Sequence, residues 1–343
     1  MKEFTGFKHG VDLGGWLSQC DNNDYSEKHF VEFITEKDFD IIAGWGLDHV
    51  RLPFDYNVIM TDSGEFIESG FRFLDFAVDE CEKRGLNIVL DLHKTAGFVF
   101  DNAAYCDFFE SEELQSLFVR LWKGMSQRYG KRKNVVFELL NEVTELQFAQ
   151  TWNKIAARTI KAIRNEGANV RVMYGGVRNN SIFGLTLLDK PEDDNVVFDF
   201  HCYSPLVFTH QKAYWVPELP EEFSIEYPQT EKFILEKTRE FFGDKYDDEF
   251  DPENSLQMSP TYFERLFEQA AAVSKKFDVP LYCGEYGVID QADAQSTLNW
   301  YRDIHAAFEK MGISRAAWNY KQKDYGIIDK HYDSIRDELV KLL

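Results

Sequence analysis

Eight short runs of mainly apolar, β-prone residues recur along the whole chain, each followed by more polar or helix-forming sequence. Runs that are apolar almost throughout are typical of parallel strands buried on both faces. We interpret eight such runs as strands, at residues 9–16, 49–54, 87–93, 135–142, 171–177, 195–203, 280–288 and 313–320.

Helical patterns separate these runs. Leu114, Leu117, Leu121 and Met125 recur at helical spacing after Ser111, a residue type that often begins a helix. Similar stripes lie at residues 74–81, 148–163 and 266–277. Eight β/α units in series predict one α/β domain over residues 1–343, a single (β/α)8 TIM barrel rather than an open sheet.

One interval is longer than the others. Residues 204–279, between the sixth and seventh predicted strands, are more than a single helix needs. Residues 217–260 are rich in acidic residues and phenylalanine, with a helical stretch near 231–242. We interpret the interval as an inserted helical subdomain that packs over the active-site face and does not form an independent domain.

The charge of the chain limits its partners. The formal net charge is −21 and the isoelectric point about 4.8, which disfavours nucleic acids and anionic membranes because both need a basic patch. The longest basic run, residues 131–133, is more typical of a solvated turn. We therefore expect a neutral substrate, no nucleic-acid or membrane partner, and a monomer.

The cysteines and the first residues carry little further information. The five cysteines are far apart and lack CxxC spacing, so neither a disulfide framework nor a zinc site is predicted. No apolar stretch is long enough to span a bilayer, and MKEFTGFKHG lacks the apolar core of a signal peptide. The protein is expected either to stay in the cell or to have lost a signal before this numbering begins.

Reactive side chains fall where the predicted strands end. In a barrel of this type active sites are built at the strand ends and in the loops that follow, so these side chains should meet at one rim. The candidates are Arg51, His93, Asn141, Glu142, His201, Tyr203, Glu285 and Trp318.

Glu142 and Glu285 are the candidate catalytic pair. Each closes an apolar run, VVFELLNE and LYCGE, where a lone carboxylate would be costly to desolvate. Glycoside cleavage needs one protonated and one ionised carboxyl group, so two glutamates at neighbouring strand ends suit it. The alternative is a pair of ion-paired glutamates at the barrel rim with no chemical role.

The other candidates have structural alternatives. Arg51 could hold a catalytic carboxylate by paired hydrogen bonds, or form a purely structural ion pair in the barrel. His93 and His201 could be satisfied core histidines, and no HxH or HExxH spacing supports metal binding, so we expect no metal or other cofactor. Trp318 could stack on a sugar or simply pack in the core.

The motifs HGVDLGGW, DHVRLPFDY, LDLH, FELLNE, FHCYSP, YCGEYGV and AAWNYK occur in this order along essentially the whole chain. Together they resemble the strand-end motifs of glycoside hydrolase family 5, also called cellulase family A. One departure is Lys94, which follows His93 where relatives often have a second histidine.

The resemblance implies a retaining hydrolase with Glu142 as acid/base and Glu285 as nucleophile. It further implies that Asn141 binds the sugar 2-hydroxyl and that His201 tunes the acid/base. The remaining matched residues would hold the nucleophile (Arg51, Tyr203) or line the subsite on the non-reducing side (His93, Trp318).

The substrate implied by the resemblance is a β-glucan polysaccharide or oligosaccharide. An endo-β-1,4-glucanase is the first expectation, with the two carboxyl groups about 5–5.5 Å apart. A β-1,3- or mixed-linkage glucanase, a glucomannanase, a transglycosidase and a β-glucosidase acting on oligosaccharides remain open. So do two other classes, a non-catalytic carbohydrate-binding barrel and a metal-dependent hydrolase.

Overall fold

A computed structural model of the protein describes residues 2–102 and 106–343. Eight parallel strands form a closed barrel in sequence order, with β8 pairing back onto β1. The prediction of a (β/α)8 barrel is confirmed, and a strand lies at each of the eight predicted runs. The strands are β1 His9–Asp12, β2 His49–Asp55, β3 Asn87–Lys94, β4 Val135–Glu138, β5 Arg171–Gly175, β6 Val196–His201, β7 Leu281–Glu285 and β8 Ser314–Ala317.

Helices cover the outside of the barrel. The longer α-helices in the described part of the chain are Glu27–Phe33, Glu36–Gly44, Glu68–Lys83, Glu112–Tyr129, Ala149–Asn165, Glu231–Phe242, Pro260–Phe277 and Ala294–Met311. Short α-helical segments lie at Tyr56–Ile59, Ile182–Leu185, Leu206–Thr209 and Arg336–Leu339. Val177–Asn180 is a turn after β5 that contains residues with left-handed backbone. The units after β5 and β8 therefore carry only short helices and depart from the regular pattern.

The start of the helix Glu112–Tyr129 shows why it begins where the sequence predicts. The Ser111 side chain accepts a hydrogen bond from the backbone N–H of Leu114, one of the donors that a helix start leaves unpaired. The buried face then includes Phe118, Leu121 and Met125 at helical spacing.

The floor of the barrel interior is apolar. Inward-facing residues of six strands form a cluster closed from below by the stacked rings of Phe4 and Phe7, whose centroids are 4.5 Å apart. The strand residues of this cluster are Val89, Val136, Met173, Val197, Tyr282 and Ala316. The amino-terminal end of the barrel is thus a packed core, as in other barrels of this type.

The next inward layer is charged. Side chains of a strand alternate between its two faces, so residues two positions beyond the floor again point inward. Asp91 follows Val89, Glu138 follows Val136, and Asp199 follows Val197 in this way, and all three acids are fully buried. The strands therefore carry ionisable groups from the middle of the barrel up to the rim where the predicted site lies.

The long interval between β6 and β7 contains the helix Glu231–Phe242 at the predicted position. Its start is capped by Thr230, whose hydroxyl accepts from the backbone N–H of Phe233. Tyr227, from the same interval, donates its hydroxyl to Asp303 on the helix Ala294–Met311 at 2.8 Å, which ties the interval to the outer helices. Within the described residues, no helix is both long and apolar enough to cross a membrane.

Two helical glycines give a matched test of the packing. A Cβ at Gly70 would lie 1.7 Å from the carbonyl oxygen of Val58, whereas a Cβ at Gly44 would meet nothing within 4 Å. Gly70→Ala is expected to lower the free energy of unfolding by about 1–3 kcal/mol or more, because backbone must move. Gly44→Ala is expected to leave it unchanged or raise it by up to about 1 kcal/mol. Urea denaturation of both variants measures this, and equal effects would contradict the packing described.

Candidate active site

An open cleft of about 1120 Å³ lies at the carboxyl ends of the strands. Five of the predicted site residues line it, namely Glu142, His201, Tyr203, Glu285 and Trp318. The other three, Arg51, His93 and Asn141, are fully buried and hydrogen-bond to one another or to groups beside the cleft. The structure thus brings all eight predicted residues into one region.

Arg51 occupies the centre of the charged layer. Its Nε and Nη2 donate to the two carboxylate oxygens of Glu138 at 2.7 and 2.8 Å. Its Nη1 donates to Glu285 Oε1 at 2.8 Å, and Nη2 also donates to Asn141 Oδ1 at 2.9 Å. The side chain of Arg51 has no exposed surface. One guanidinium therefore fixes a structural acid, the predicted nucleophile and the amide next to the predicted acid/base.

The surroundings of Glu285 favour its ionised form. Burial alone would disfavour ionisation, but the positive charges of His201 and Arg51 outweigh it and lower the pKa of Glu285 to about 2. The hydroxyl of Tyr203 also donates to Glu285 Oε2 at 2.8 Å. Glu285 is therefore a fixed carboxylate, able to act as a nucleophile without first losing a proton.

The remaining acids around Arg51 outnumber its single positive charge. Asp12 Oδ1 lies 3.7 Å from Arg51 Nη1, and neither oxygen of Asp12 has a hydrogen-bond partner among the described residues. Burial raises the pKa of Asp12 well above its ordinary value. Burial likewise raises the pKa of Asp91 to about 8, against the opposing effect of Arg51. Burial also raises the pKa of Glu138 to about 8, again against the opposing effect of Arg51. Burial thus favours the protonated form of all three acids, which limits the negative charge in the barrel.

Glu142 lies outside the sheet, contrary to the prediction that it ends the fourth strand. β4 stops at Glu138, and the chain continues as a loop in which Glu142 has a φ of 38°. The loop stays attached to the barrel because Leu139 N–H donates to Met173 O and Asn141 N–H donates to Leu92 O. The departure from regular pairing turns the Glu142 side chain into the cleft.

Two side chains hold the carboxyl group of Glu142. His201 Nδ1 lies 2.9 Å from Glu142 Oε1, and Asn179 Nδ2 donates to Glu142 Oε2 at 3.1 Å. The same His201 nitrogen is 3.7 Å from Glu285 Oε2, so the ring stands between the two glutamates. One oxygen of each glutamate and a ring nitrogen of His201 all lie within 4.8 Å of one another.

His93 and Trp318 form one side of the site. Their rings are parallel, with centroids 5.8 Å apart. Burial lowers the pKa of His93 well below its ordinary value, so the ring is neutral. Its Nδ1 therefore donates to Asp91 Oδ2 at 2.6 Å, while Nε2 accepts from Gln19 Nε2 at 3.1 Å. A Cβ at Gly14 would lie 2.4 Å from the Trp318 ring, which explains why the LGGW motif has glycine there.

Sequence reasoning missed several residues of this network. Asp12, Asp91, Glu138 and Asp199 lie inside the predicted strand runs rather than at their predicted ends, where the search was made. In the structure, Asp12 and Glu138 are the last residues of β1 and β4. A signal was present, because Asp91 and Asp199 each precede a predicted histidine by two residues and so share its inward face. Asn179 follows β5 in a loop and has no such signal.

The donor types in the site could in principle contact a cation. Glu138, Asp199 and His201 offer donor atoms within 4.8 Å of one another. Both oxygens of Glu138 accept from Arg51, however, and Asp199 Oδ2 accepts from Asn180 Nδ2. Arg51 already supplies the positive charge in this layer, so the residues fit a hydrogen-bonded network better than a metal centre.

The sequence profile of the family described as cellulase (glycosyl hydrolase family 5) matches residues 14–324. The chain belongs to this family. It is 42% identical over 317 residues to cellodextrinase A of Ruminococcus flavefaciens, covering 92% of this chain and 86% of that protein. It is 38% identical over 343 residues to endoglucanase C of Acetivibrio thermocellus, covering 98% of both. The motifs quoted above and the segment FTHQKAYW after β6 are similar to those of clostridial endoglucanase C, in agreement with this comparison.

Solved structures support the fold. Cellulose synthase subunit Z from Clostridioides difficile superposes with a TM-score of 0.76 at 24% identity, covering 98% of this chain and 99% of that one. The endoglucanase Cel5A from Thermotoga maritima superposes with a TM-score of 0.75 at 24% identity, covering 98% and 97%. At this identity the similarity concerns the barrel.

Replacing Arg51 tests whether the charged layer depends on it. Arg51→Lys cannot bond Glu138 and Glu285 together, so we expect the free energy of unfolding at pH 7 to fall by about 3–5 kcal/mol. By lowering the pKa of Glu285, Arg51 contributes to the free energy of unfolding. This stabilisation is fully present above the ordinary carboxyl pKa and is lost as pH falls towards about 2. The deficit of the variant should therefore shrink below pH 4.5, the ordinary value for a glutamate, where the unpaired carboxylates can take up protons.

The control is Arg128→Lys, since Arg128 forms ion pairs with Asp75 and Glu68 at the surface. Such a pair contributes about 1 kcal/mol or less. Urea unfolding of both variants at pH 4 and pH 7 gives the comparison. A deficit for Arg51→Lys that does not change with pH would contradict the electrostatic explanation.

Proposed function

We propose that this protein is a retaining endo-β-1,4-glucanase in which Glu142 is the acid/base and Glu285 the nucleophile. The observation that carries the proposal is the closeness of the two glutamates, whose nearest oxygens are within 4.8 Å. Retaining hydrolases separate their carboxyl groups by about 5–5.5 Å, whereas inverting ones leave about 6.5–9.5 Å for a water molecule.

The different surroundings of the two glutamates suit different roles. Glu285 receives three hydrogen bonds or ion pairs from Arg51, Tyr203 and His201, and its low pKa keeps it ionised. Glu142 lies in a loop at the cleft wall, where its proton can reach a glycosidic oxygen. In the first step Glu285 attacks the anomeric carbon while Glu142 protonates the departing oxygen. In the second step Glu142 takes a proton from a water molecule whose oxygen bonds to the anomeric carbon as the bond to Glu285 breaks, which releases the sugar and restores both glutamates.

Several groups beside the glutamates are suited to holding a sugar. The amide Nδ2 of Asn141 is buried and has no hydrogen-bond partner among the described residues, so it can donate to a sugar hydroxyl next to the nucleophile. Trp318 presents an indole ring in the cleft wall, and aromatic faces suit pyranose rings. Because the leaving group lies on the side of the acid, this wall serves the sugar that Glu285 attacks.

The open cleft and the relatives support a polymeric or oligomeric β-glucan substrate. Tyr214 and Trp215 line the same cleft and are 82% and 41% exposed, which leaves their rings available for further sugars. The relatives named endoglucanase C and cellodextrinase A favour β-1,4 linkages. The second of these names supports an alternative, in which short cellodextrins rather than polymers are the main substrate.

We further propose that residues 1–343 act as one monomeric catalytic domain and that residues 204–279 form a wall of the cleft. Side chains from this interval, including His210, Trp215, Tyr246 and Glu249, line the cleft beside the catalytic glutamates. The net charge of −21 further supports a neutral sugar rather than a polyanion as ligand.

Glu285→Gln tests the nucleophile. The amide cannot form the glycosyl intermediate, so activity should fall more than about 10³-fold while the protein remains folded. Reducing ends and viscosity would be measured on carboxymethylcellulose, barley mixed-linkage glucan, laminarin and glucomannan. A rapid fall in viscosity relative to reducing ends indicates internal cleavage. Glu264→Gln is the matched control, because Glu264 pairs with Lys310 on the outer helices, and it should keep full activity.

If wild-type protein cut no polymer but did cut cellodextrins, the cellodextrinase alternative would replace the endoglucanase. Absence of hydrolysis on all of these substrates would overturn the proposed function and favour a carbohydrate-binding barrel.

Glu142→Ala tests the acid/base. Loss of the proton donor should reduce kcat/KM on cellodextrins by about 10²–10⁴-fold. Aryl glycosides with acidic leaving groups need little protonation, so their kcat/KM should fall far less. Initial rates on cellotetraose and on 2,4-dinitrophenyl β-cellobioside measure the difference. Equal losses on both substrates would show that Glu142 is not the acid.

A further inference from the structure

Asp199 is a charged residue of the barrel interior to which the mechanism above gives no role. It lies on β6 two positions before His201, so both side chains point inward. Its side chain has no exposed surface, and its Oδ2 is 3.4 Å from His201 Nε2. A Cβ at Gly284 on the neighbouring strand would lie 2.7 Å from Asp199 Oδ1, so the glycine leaves room for this acid.

A second contact fixes Asp199. Asn180 Nδ2 donates to Asp199 Oδ2 at 2.7 Å and lies 3.5 Å from His201 Nε2. Asn180 ends a run of three left-handed residues after β5, with φ values of 58°, 55° and 51°. Asparagine tolerates this conformation better than most residues. The preceding member of the run is Asn179, which bonds Glu142. The loop after β5 thus holds both Asp199 and the acid/base.

The ring of His201 lies between carboxylates on both of its edges. Its Nδ1 faces Glu142 at 2.9 Å and Glu285 at 3.7 Å, while Nε2 faces Asp199. A neutral imidazole has one nitrogen without a proton, whose lone pair would be directed at an acid. Two N–H groups give the carboxylates on both edges a donor, so these acids favour the doubly protonated ring over either neutral form.

The wider charge distribution agrees with an imidazolium. The other ionisable groups around the ring come from strands β1 to β4 across the barrel interior and comprise Asp12, Arg51, Asp91, His93 and Glu138. Burial lowers the pKa of His201, but Glu285, Asp199 and Glu142 outweigh burial and raise it well above its ordinary value.

We propose that Asp199 is a positioning residue that keeps His201 doubly protonated, so that the imidazolium stabilises the charge developing on Glu142. This inference rests on the proposed function of Glu142. When the glycosidic bond breaks, the proton of Glu142 passes to the leaving oxygen and Glu285 bonds to the anomeric carbon. Glu142 is left negative beside the N–H of His201, which neither gains nor loses a proton. A fixed positive charge at this position lowers the barrier because it is already oriented before the reaction.

The test combines a spectroscopic and a kinetic measurement. In protein labelled with ¹⁵N-histidine, long-range ¹H–¹⁵N spectra report the protonation of each ring nitrogen, and His201→Asn assigns the signals. In wild type, both nitrogens of His201 should remain protonated well above pH 6.5, the ordinary pKa of a histidine. Asp199→Asn keeps the shape but removes the charge, so the ring should titrate at least about one pH unit lower.

The kinetic arm compares two leaving groups. For Asp199→Asn, kcat/KM on cellotetraose should fall about 10-fold or more, while kcat/KM on 2,4-dinitrophenyl β-cellobioside should change less than about 3-fold. Asp303→Asn is the matched control, since Asp303 accepts from Tyr227 among the outer helices. It should change neither the His201 spectrum nor either rate.

Three results would overturn the inference, namely a neutral His201 in wild type at pH 6, an unchanged titration in Asp199→Asn, or equal losses on both substrates. If Asp199→Asn does not fold, a neutral His201 in the wild-type spectrum would still overturn the inference. The ring spectra need no substrate, so they stand if the proposed function fails. Conversely, if wild type hydrolyses the substrate and Glu285→Gln does not, the proposed hydrolase function stands even when Asp199→Asn gives a negative result.

Discussion

The single buried guanidinium of Arg51 is the interaction on which the interior of this barrel depends. A charge without solvent is costly, and a carboxylate beside it is equally costly alone. Arg51 offsets the cost of burying Glu138 and Glu285, because three of its nitrogens donate short hydrogen bonds to the two carboxyl groups. The planar donors of a guanidinium allow a paired bond to the carboxylate of Glu138 and a separate bond to that of Glu285. The position of Glu285, the proposed nucleophile, is therefore set in the charged layer below the cleft.

Every second side chain of a strand points into the barrel, so the interior is layered from an apolar floor up to the site. Along β3 the inward-facing residues are Val89, Asp91 and His93. They belong in turn to the apolar floor, the charged layer and the predicted site. β6 repeats the sequence with Val197, Asp199 and His201. Each of the two predicted site histidines thus contacts an acid two positions earlier on its own strand. The acid beside His93 faces a neutral ring, whereas Asp199 faces a charged one, because only His201 also lies between two glutamates.

The two glutamates proposed as catalytic are held in different ways. Glu285 ends a regular strand and is fixed by buried partners, whereas Glu142 lies in a loop with a left-handed backbone. The loop after β5 supports Glu142 through Asn179, and its backbone bonds to Val143 and Thr144 join the two loops. Rigid placement of an ionised group and looser placement of a proton carrier match the separate demands of attack and proton transfer.

The sequence by itself determined the number, order and type of the elements. Eight apolar runs separated by helical stripes are repeated local patterns, and the closed barrel is the arrangement that buries all of them. It also predicted that the eight candidate site residues meet at one rim, because parallel strands end on the same side of a barrel. It did not give strand ends, since β4 stops at Glu138 when its loop bonds to β3 and β5. Nor did it reveal that Arg51 joins Glu138 to Glu285, or that His201 stands between Asp199 and Glu142. Those contacts join residues far apart in the chain, and only barrel closure sets the distances and burial that fix their protonation.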